Sequence, residues 1–467
     1  MGGTVTERTD LPTTQLAGGV IENRLVPTAV VRRSSPAGHR LRADVCVVGA
    51  GIAGLSAGVE SARLGRKVVL VDALPQLGGQ AVNGLIGTFA GLLSNGPDPV
   101  VLTYGIGADI LRDLGASGDL ALRRKHNTVM YDYQALAHWI DETVHGLDIT
   151  VVLGGTVRGV NAEGRRVRSL EVATRYGDLS VSASGFVDAS GDAVLSWLAG
   201  AACHVPGEGQ VYGSLKVVLE NVDEAHYPTP EALRAALANH GDQYGVVRKD
   251  GLANLFPGRG TATLNMNHIE TPLDAVGMAD ASYQGRVEAD HTVDFLRAQF
   301  PEAFGRARVR AYGLLGVRQT RWVVGDTQFG LADLMARRQF DDMIARTGWG
   351  VELHHERETS IWDPLPAEHL HSIPYRALTP AETDNIVAAG RCIDGDVAAL
   401  SSVRVMGPCI ATGAAAAHAL DLAGDDSVHD VAVGRLQERL HDNLRRNDPY
   451  PDPETYAAMI RSGGDDG

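Results

Sequence analysis

Cysteine is scarce in this chain: four in 467 residues, Cys46, Cys203, Cys392 and Cys409, with no CxxC spacing among them. That pattern argues against a thiolate zinc site and against a disulfide-exchange reductase, and it fits a reduced, cytoplasmic setting. No apolar run approaches the ~20 residues that a membrane-spanning helix needs. Positive charge is in the minority, 42 basic against 57 acidic residues for a net of −15. The balance leaves nucleic acid and anionic membranes poor candidates as main partners. The opening MGGTVTERTDLPTTQ has neither a basic start nor an apolar core, so no secretory signal is expected there. Arg32-Arg33 is followed by SSPAGHRLR, which lacks the hydrophobic stretch of an export signal.

What the chain has in quantity is glycine, and one cluster of it organises the rest. Asp44 to Asp72 reads DVCVVGAGIAGLSAGVESARLGRKVVLVD, in the order strand, glycine turn, helix, strand. The run Val45–Val48 suits a parallel strand buried on both faces. Gly49 permits the tight turn, Gly51 lets backbone N–H groups approach a pyrophosphate, and Gly54 lets the helix pack on the strand. The helix N-terminus through Ile52 and Ala53 then faces the anion with unpaired N–H groups and a positive dipole end. Asp72 ends the second strand 18 residues after Gly54, where an acid accepting ribose hydroxyls is expected, with Ala73 beside it. The unit predicts a dinucleotide and leaves open FAD or NAD.

A chain of this length predicts two closely packed domains. Residues 1–42 read as an N-terminal extension. After Asp72, the apolar, glycine-rich LPQLGGQAVNGLIGTFAGLLSNG holds a turn at Gly78-Gly79-Gln80 that can bring backbone against a cofactor. A helix is expected over Asp132–Val144. Strands are expected over Ile149–Val152, Val167–Arg175 and Leu179–Val187, a β-meander that runs into Asp188-Ala189-Ser190-Gly191-Asp192. From about 211 to 369 the pattern changes to mixed strands and one long helix, Ala279–Phe300, a second α+β domain. Arg318 and Arg321 lie there in an apolar, glycine-flanked stretch, and His354-His355 in GWGVELHHE; exposed arginines and structural histidines are the ordinary alternatives. A final block, Ser372–Ala423, contains a strand, a Gly390-Arg391 turn and an alanine-rich helix from about Gly407 to Leu422. Val428–Leu444 reads as an amphipathic C-terminal helix. No internal repeat and no second GxGxxG occur, so a dedicated NAD(P)H domain is not expected.

Taken in order, GAGIAG with Asp72, LGGQAVNGLIGTF, DASGD, LGVRQTR, FDDMIA, VELH, IPYRAL and NIVAAGRC…SSVRVMGPCIATGAAAA resemble the FAD-dependent oxidoreductases that share their FAD domain with fumarate reductase and glutathione reductase. The resemblance covers roughly residues 43–424. It implies an α/β, Rossmann-like FAD domain made of 43–210 and 370–424, a substrate or cap domain at 211–369, and a C-terminal helix and tail at 425–467. It implies that Gly49, Gly51 and Gly54 hold the pyrophosphate of FAD and Asp72 the adenosine ribose. Backbone at Val157 would meet the adenine side, and Ala189, Ser190 and Gly191 would close over the dinucleotide, with Gly79, Gln80, Gly390 and Arg391 lining it. Asp396 would lie near the ribityl chain, and Val403, Arg404 and Met406 beside the isoalloxazine. This chain has Asp394-Gly395-Asp396 where the family more often places serine or threonine after GRC.

A flavin performs the redox step, so the protein has to supply positioning and acid–base groups. The candidates are His354 for proton transfer, with Arg404 and Arg318 for a carboxylate or developing negative charge, and Tyr375 and Arg376 as further polar groups. The expected activity is hydride transfer between a small organic substrate and FAD in a bacterial-type enzyme. Oxygen or a second substrate would be the electron acceptor, and homodimerisation is left open. The rivals are an FAD monooxygenase, an NAD-only dehydrogenase and a non-catalytic flavin-binding protein. No metal site is expected.

Overall fold

The computed structural model describes residues 14–16, 19–21, 39–207 and 211–450. Its centre is a five-stranded, all-parallel sheet in the order Ile386–Ala388, Gly185–Asp188, Val45–Val48, Val68–Asp72, Ile149–Leu153. Val45–Val48 and Val68–Asp72 are buried at every position, the requirement of a sheet covered on both faces. The glycine-started helix Ile52–Arg63 packs on one face against the alanine-rich helix Met406–Ala423. The two approach so closely that a Cβ on Gly413 would stand 2.1 Å from Ala53 O, and Ser56 Oγ donates to Ile410 O at 2.7 Å. The all-small sequence around Gly413 is thus a packing requirement.

The other face carries an antiparallel meander, Thr156–Glu163, Arg166–Thr174 and Gly177–Ser182, and a fourth strand, His39–Arg42, runs parallel to the last. Three expectations change here. Ile149–Leu153 is a strand of the parallel sheet, not of the meander, and Thr156–Glu163 takes its place. The single run Leu179–Val187 divides at Ala183-Ser184 into a meander strand and a core strand. His39–Arg42, assigned to the extension 1–42, is part of the dinucleotide unit.

The second sheet is antiparallel, in the order Leu252–Phe256, Thr261–Asn265, Ser214–Glu220, Arg308–Gly316. Helix Ala275–Gln299 covers it, with Gly285 set against Leu215. Its apolar cluster draws on residues from Leu215 to Leu315, whereas Trp322, Phe329, Phe340, Ile344 and Leu365 bury in the core of the dinucleotide unit. The seam therefore falls near 316, not at 369, because the 320–369 segment returns its large side chains to the first core. The C-terminal stretch is not one amphipathic helix either. Val433–Arg439 and His441–Arg445 follow a short turn at Val428–Asp430, and Val428, Leu436, Leu440 and Leu444 dock into the first core. No single helix among the described residues is long and apolar enough to cross a membrane.

Candidate functional site: a dinucleotide cleft and a buried cation cluster

The cleft begins at the glycine turn. Gly49 has φ +100°, and a Cβ there would stand 2.3 Å from Ala189 O; a Cβ on Gly54 would stand 1.8 Å from Gly49 O. A Cβ on Gly51 would meet nothing within 4 Å, so the space before the helix is open where Gly51 faces it. No side chain caps the Ile52–Arg63 helix, which leaves its first N–H groups available to an anion. Gly79 (φ +47°) is pressed against Gly51, with a Cβ there only 2.6 Å from Gly51 Cα. That contact puts the Gly78-Gly79-Gln80 turn beside the phosphate loop, and Gln80 Oε1 is buried without a partner.

Around this turn the sequence-predicted residues converge. Asp72 is 9% exposed; its Oδ2 accepts Ala50 N at 2.5 Å and its Oδ1 accepts Leu74 N at 2.7 Å, with exposed Ala73 next to it. Gly155 N donates to Asp72 O, which brings the start of the Val157 strand to the same edge. Ala189 N donates to Val48 O, and buried Asp188 ties the following turn by accepting from Ser190 and Ser196. Gly191 (φ +77°) lies against the Arg391 guanidinium, whose Nη2 reaches Asp192 at 3.1 Å while Nη1 is buried with no partner. Gly390 (φ +67°) abuts Ala53, and its N–H donates to Thr412 Oγ1. Val403 and Met406 are buried at the uncapped start of the alanine-rich helix. Asp396 instead commits both oxygens to the chain: Oδ1 caps Ala399 N and Oδ2 accepts Leu331 N, each at 2.7 Å.

These observations fit a bound dinucleotide. The glycine cradle, the uncapped start of the Ile52–Arg63 helix and the orphaned Arg391 Nη1 provide anion donors that the protein itself leaves unmatched. Among the described residues no group of three metal-ligating side chains is assembled.

Beyond the cleft lies a cluster that only the fold assembles. Arg318 donates from Nη1 to Tyr212 O at 2.6 Å and from Nη2 to Ser214 Oγ at 2.9 Å, and meets no carboxylate among the described residues. Arg404 donates from Nη2 to Glu352 O at 3.2 Å, and its Nε is buried without a partner. Lys216, on the cap sheet and 7% exposed, reaches across to Ile86 O at 2.8 Å. Burial, then Arg318, pushes the Lys216 ammonium down to about 7, and burial pushes the Arg404 guanidinium down to about 10. Arg248, by contrast, is matched by Asp250 at 2.6 Å. Glu352 keeps 27% of its side chain open; against the cost of burial, its contact with His354 and the charges of Arg404 and Arg318 hold its carboxyl well below the usual range.

His354 is fully buried between Glu352 Oε1, 3.2 Å from its Nε2, and His268 Nε2, 2.9 Å from its Nδ1. Burial first, then Arg318, pushes His354 down to about 3, so it is neutral at pH 7 and not the freely titrating imidazole its reference value suggested. Tyr375 and Arg376 stand apart from this cluster. Tyr375 is buried with its hydroxyl on Val428 O at 2.8 Å, and Arg376 is clamped by Asp341 and Asp342. A cavity of about 660 Å³ at Asn221, Asp223 and Arg297 contains none of these residues. Sequence reasoning missed Lys216, His268 and Glu352; the one available signal was Glu352 itself, two residues before His354 in VELH.

The structure resembles a geranylgeranyl bacteriochlorophyll reductase-like protein from Thermoplasma acidophilum, with TM-score 0.43 and 12% identity over 91% of this chain and 84% of that one. It also resembles p-nitrophenol 4-monooxygenase from Pseudomonas putida, with TM-score 0.38 and 10% identity over 92% and 95%. A shorter match is THI4 of Thermovibrio ammonificans, TM-score 0.28 and 23% identity over 36% of this chain and 66% of that one. No curated protein matches the sequence. The model of the FAD dependent oxidoreductase family matches residues 44–440, from the strand before the glycine turn to the end of the Val433–Arg439 helix, and the chain belongs to that family: an FAD enzyme on a Rossmann-type α/β fold.

Proposed function

We propose that this FAD enzyme exchanges a hydride with a small organic anion held by Arg318 and Arg404. One observation carries the reading: two enclosed guanidinium groups, each without a carboxylate partner among the described residues, flank a single partly open acid, Glu352. Buried charges are normally paired, so a site that leaves two cations unmatched is built for a negative group brought from outside. FAD, when bound, supplies two-electron acceptance. The pyrophosphate would be held by Gly49, Gly51, Gly54 and the helix start at Ile52-Ala53, the ribose by Asp72, and the phosphate side by Arg391.

The chain's own part is positional. Arg318 and Arg404 orient the anion through charge-assisted hydrogen bonds, Lys216 adds a third cation, and His354 with Glu352 handles protons. The close approach of Gly313 to Gly84, whose carbonyl would lie 2.7 Å from a Cβ at Gly313, brings the antiparallel sheet down on the loop before Ile86. The test is an anaerobic panel of small organic acids and their neutral esters mixed with the holoenzyme. An acid that bleaches the flavin while its ester does not is the expected result. Bleaching by neutral compounds alone would remove the anion reading, and an oxygenated product under air would select a monooxygenase.

A further inference from the structure

The hydrogens of the His268–His354–Glu352 chain can be counted atom by atom. His268 Nδ1 lies 2.9 Å from Glu356 O and 3.2 Å from Arg357 O, two carbonyls that only accept, so Nδ1 carries a hydrogen. Burial, then Arg248 and Arg318, pushes His268 down to about 2, which leaves it neutral with Nε2 as an acceptor. His354 Nδ1, 2.9 Å away, must therefore donate. A neutral His354 then turns a bare Nε2 toward Glu352 Oε1 at 3.2 Å. Two acceptors face one another, and the contact is one proton short.

The surrounding cations explain why the shortfall is tolerated. Arg318 and Arg248 face His354; Arg404, Arg318, Lys216 and His126 act on Glu352. Their field disfavours adding a positive charge between the two acceptors. An anion paired with Arg318 and Arg404 cancels that field.

We infer that Glu352 Oε1 and His354 Nε2 form one proton-acceptor site, which fills with a single proton when the charge of Arg318 and Arg404 is neutralised, and that His268 is the positioning residue fixing the His354 tautomer. The inference rests on the organic-anion reading above. A proton leaving an O–H or N–H group of the bound anion moves to this site: the X–H bond breaks with its electron pair left on X, and the new bond forms at His354 Nε2 or Glu352 Oε1. His354 and Glu352 thus act as one base, and Lys216, whose ammonium donates to Ile86 O, is not required to accept the proton.

The test reads the ring nitrogens directly, without substrate, in holoenzyme containing nitrogen-15 histidine, from about pH 4 to 9. The His354 signals are those lost in His354→Gln. In the unaltered protein Nδ1 is expected to be protonated and Nε2 bare through that range. Arg318→Gln removes part of the field and is expected to raise the proton affinity of Nε2 at least tenfold. Arg404→Gln serves as the second variant if the first does not fold, as judged by its flavin spectrum. Adding Glu352→Gln, whose amide N–H can donate to Nε2, is expected to abolish the gain. His268→Gln is expected to admit the opposite tautomer of His354. A wild-type His354 with Nε2 protonated and Nδ1 bare, an affinity unmoved by either arginine variant, or a gain that survives Glu352→Gln would each overturn the proposal. Because no substrate is present, failure of the acid panel would remove the anion reading and leave this result standing.

Discussion

The dinucleotide cleft and the cation cluster are built from opposite materials. The cleft is made of backbone: Gly49, Gly51, Gly54, Gly79, Gly191 and Gly390 form walls in which an added Cβ would collide, or an open cradle in which none would. The cluster is made of side chains whose Cα atoms belong to distant parts of the sequence: Lys216, His268, Arg318, Glu352 and Arg404. Backbone recognition tolerates no substitution but asks little of sequence elsewhere. Side-chain recognition has to be solvated, paired and protonated correctly, and its failures are graded.

The harshest test of that contrast is Gly54→Val. The first Cβ already stands 1.8 Å from Gly49 O, so the helix cannot keep its place, and the purified protein is expected to be colourless, with FAD affinity down by more than about 100-fold. Retained yellow colour would show that the backbone wall gives way. Next in size is Arg318→Met, expected to cost about 100-fold in kcat/KM for the acid that bleaches the flavin, equivalent to about 3 kcal/mol for a lost charge-assisted contact. FAD affinity and the visible spectrum should hold, and a parallel loss of flavin would merge the two regions into one.

Lys216→Met sharpens the comparison through stability. The folded ammonium titrates at about 7 and the unfolded one near 10.5, so between those values the unfolded chain binds the extra proton. Stability is therefore lowered by this lysine at and below pH 7, and the penalty fades as pH rises through that window. The variant is expected to melt higher than the parent at pH 6 by an amount worth about 1 kcal/mol, and to lose the advantage by about pH 10. Its KM for the acid should rise. Equal melting shifts at both pH values would show the lysine to be uncharged throughout. Smaller again is Tyr375→Phe, which deletes the hydroxyl donated to Val428 O and should cost about 1 kcal/mol in unfolding with flavin reduction unchanged. Arg376→Ala, at a half-exposed ion pair, should change stability by less than about 1 kcal/mol and the reduction rate not at all.

The same contrast decides what could be read from the sequence. Gly49, Gly51, Gly54 and Asp72 are legible because a glycine turn and its acid are local, a matter of covalent geometry over fewer than thirty residues. The strand Thr156–Glu163 was not, since its alternation is broken at Gly159, and its pairing slips between Val157 and Gly159 and again between Asn161 and Ala162. Arg318 was named as an anion-binding candidate with an exposed arginine as the equal alternative, because nothing within ten residues reports that Tyr212 O and Ser214 Oγ will meet its guanidinium. His354 was singled out as the proton-transfer candidate from its reference titration range, but its proton state depends on His268, eighty-six residues away. Tyr375 and Arg376 were drawn in by their polarity, and the fold spends them on Val428 and on Asp341 and Asp342.

The contact of Ile52–Arg63 with Met406–Ala423 also sets an order of events in the life of the chain. The helix that carries the phosphate loop emerges from the ribosome hundreds of residues before the helix that must lie against Ala53 and Ser56. The sheet likewise lacks its edge strand until Ile386–Ala388 is made. Until then Ala53 and Ser56 have no helix against them, and the orphaned Arg391 donor does not yet exist. A chain cut between residues 72 and 406 would therefore keep its glycine motif intact and lack the helix that packs on Ala53 and Ser56.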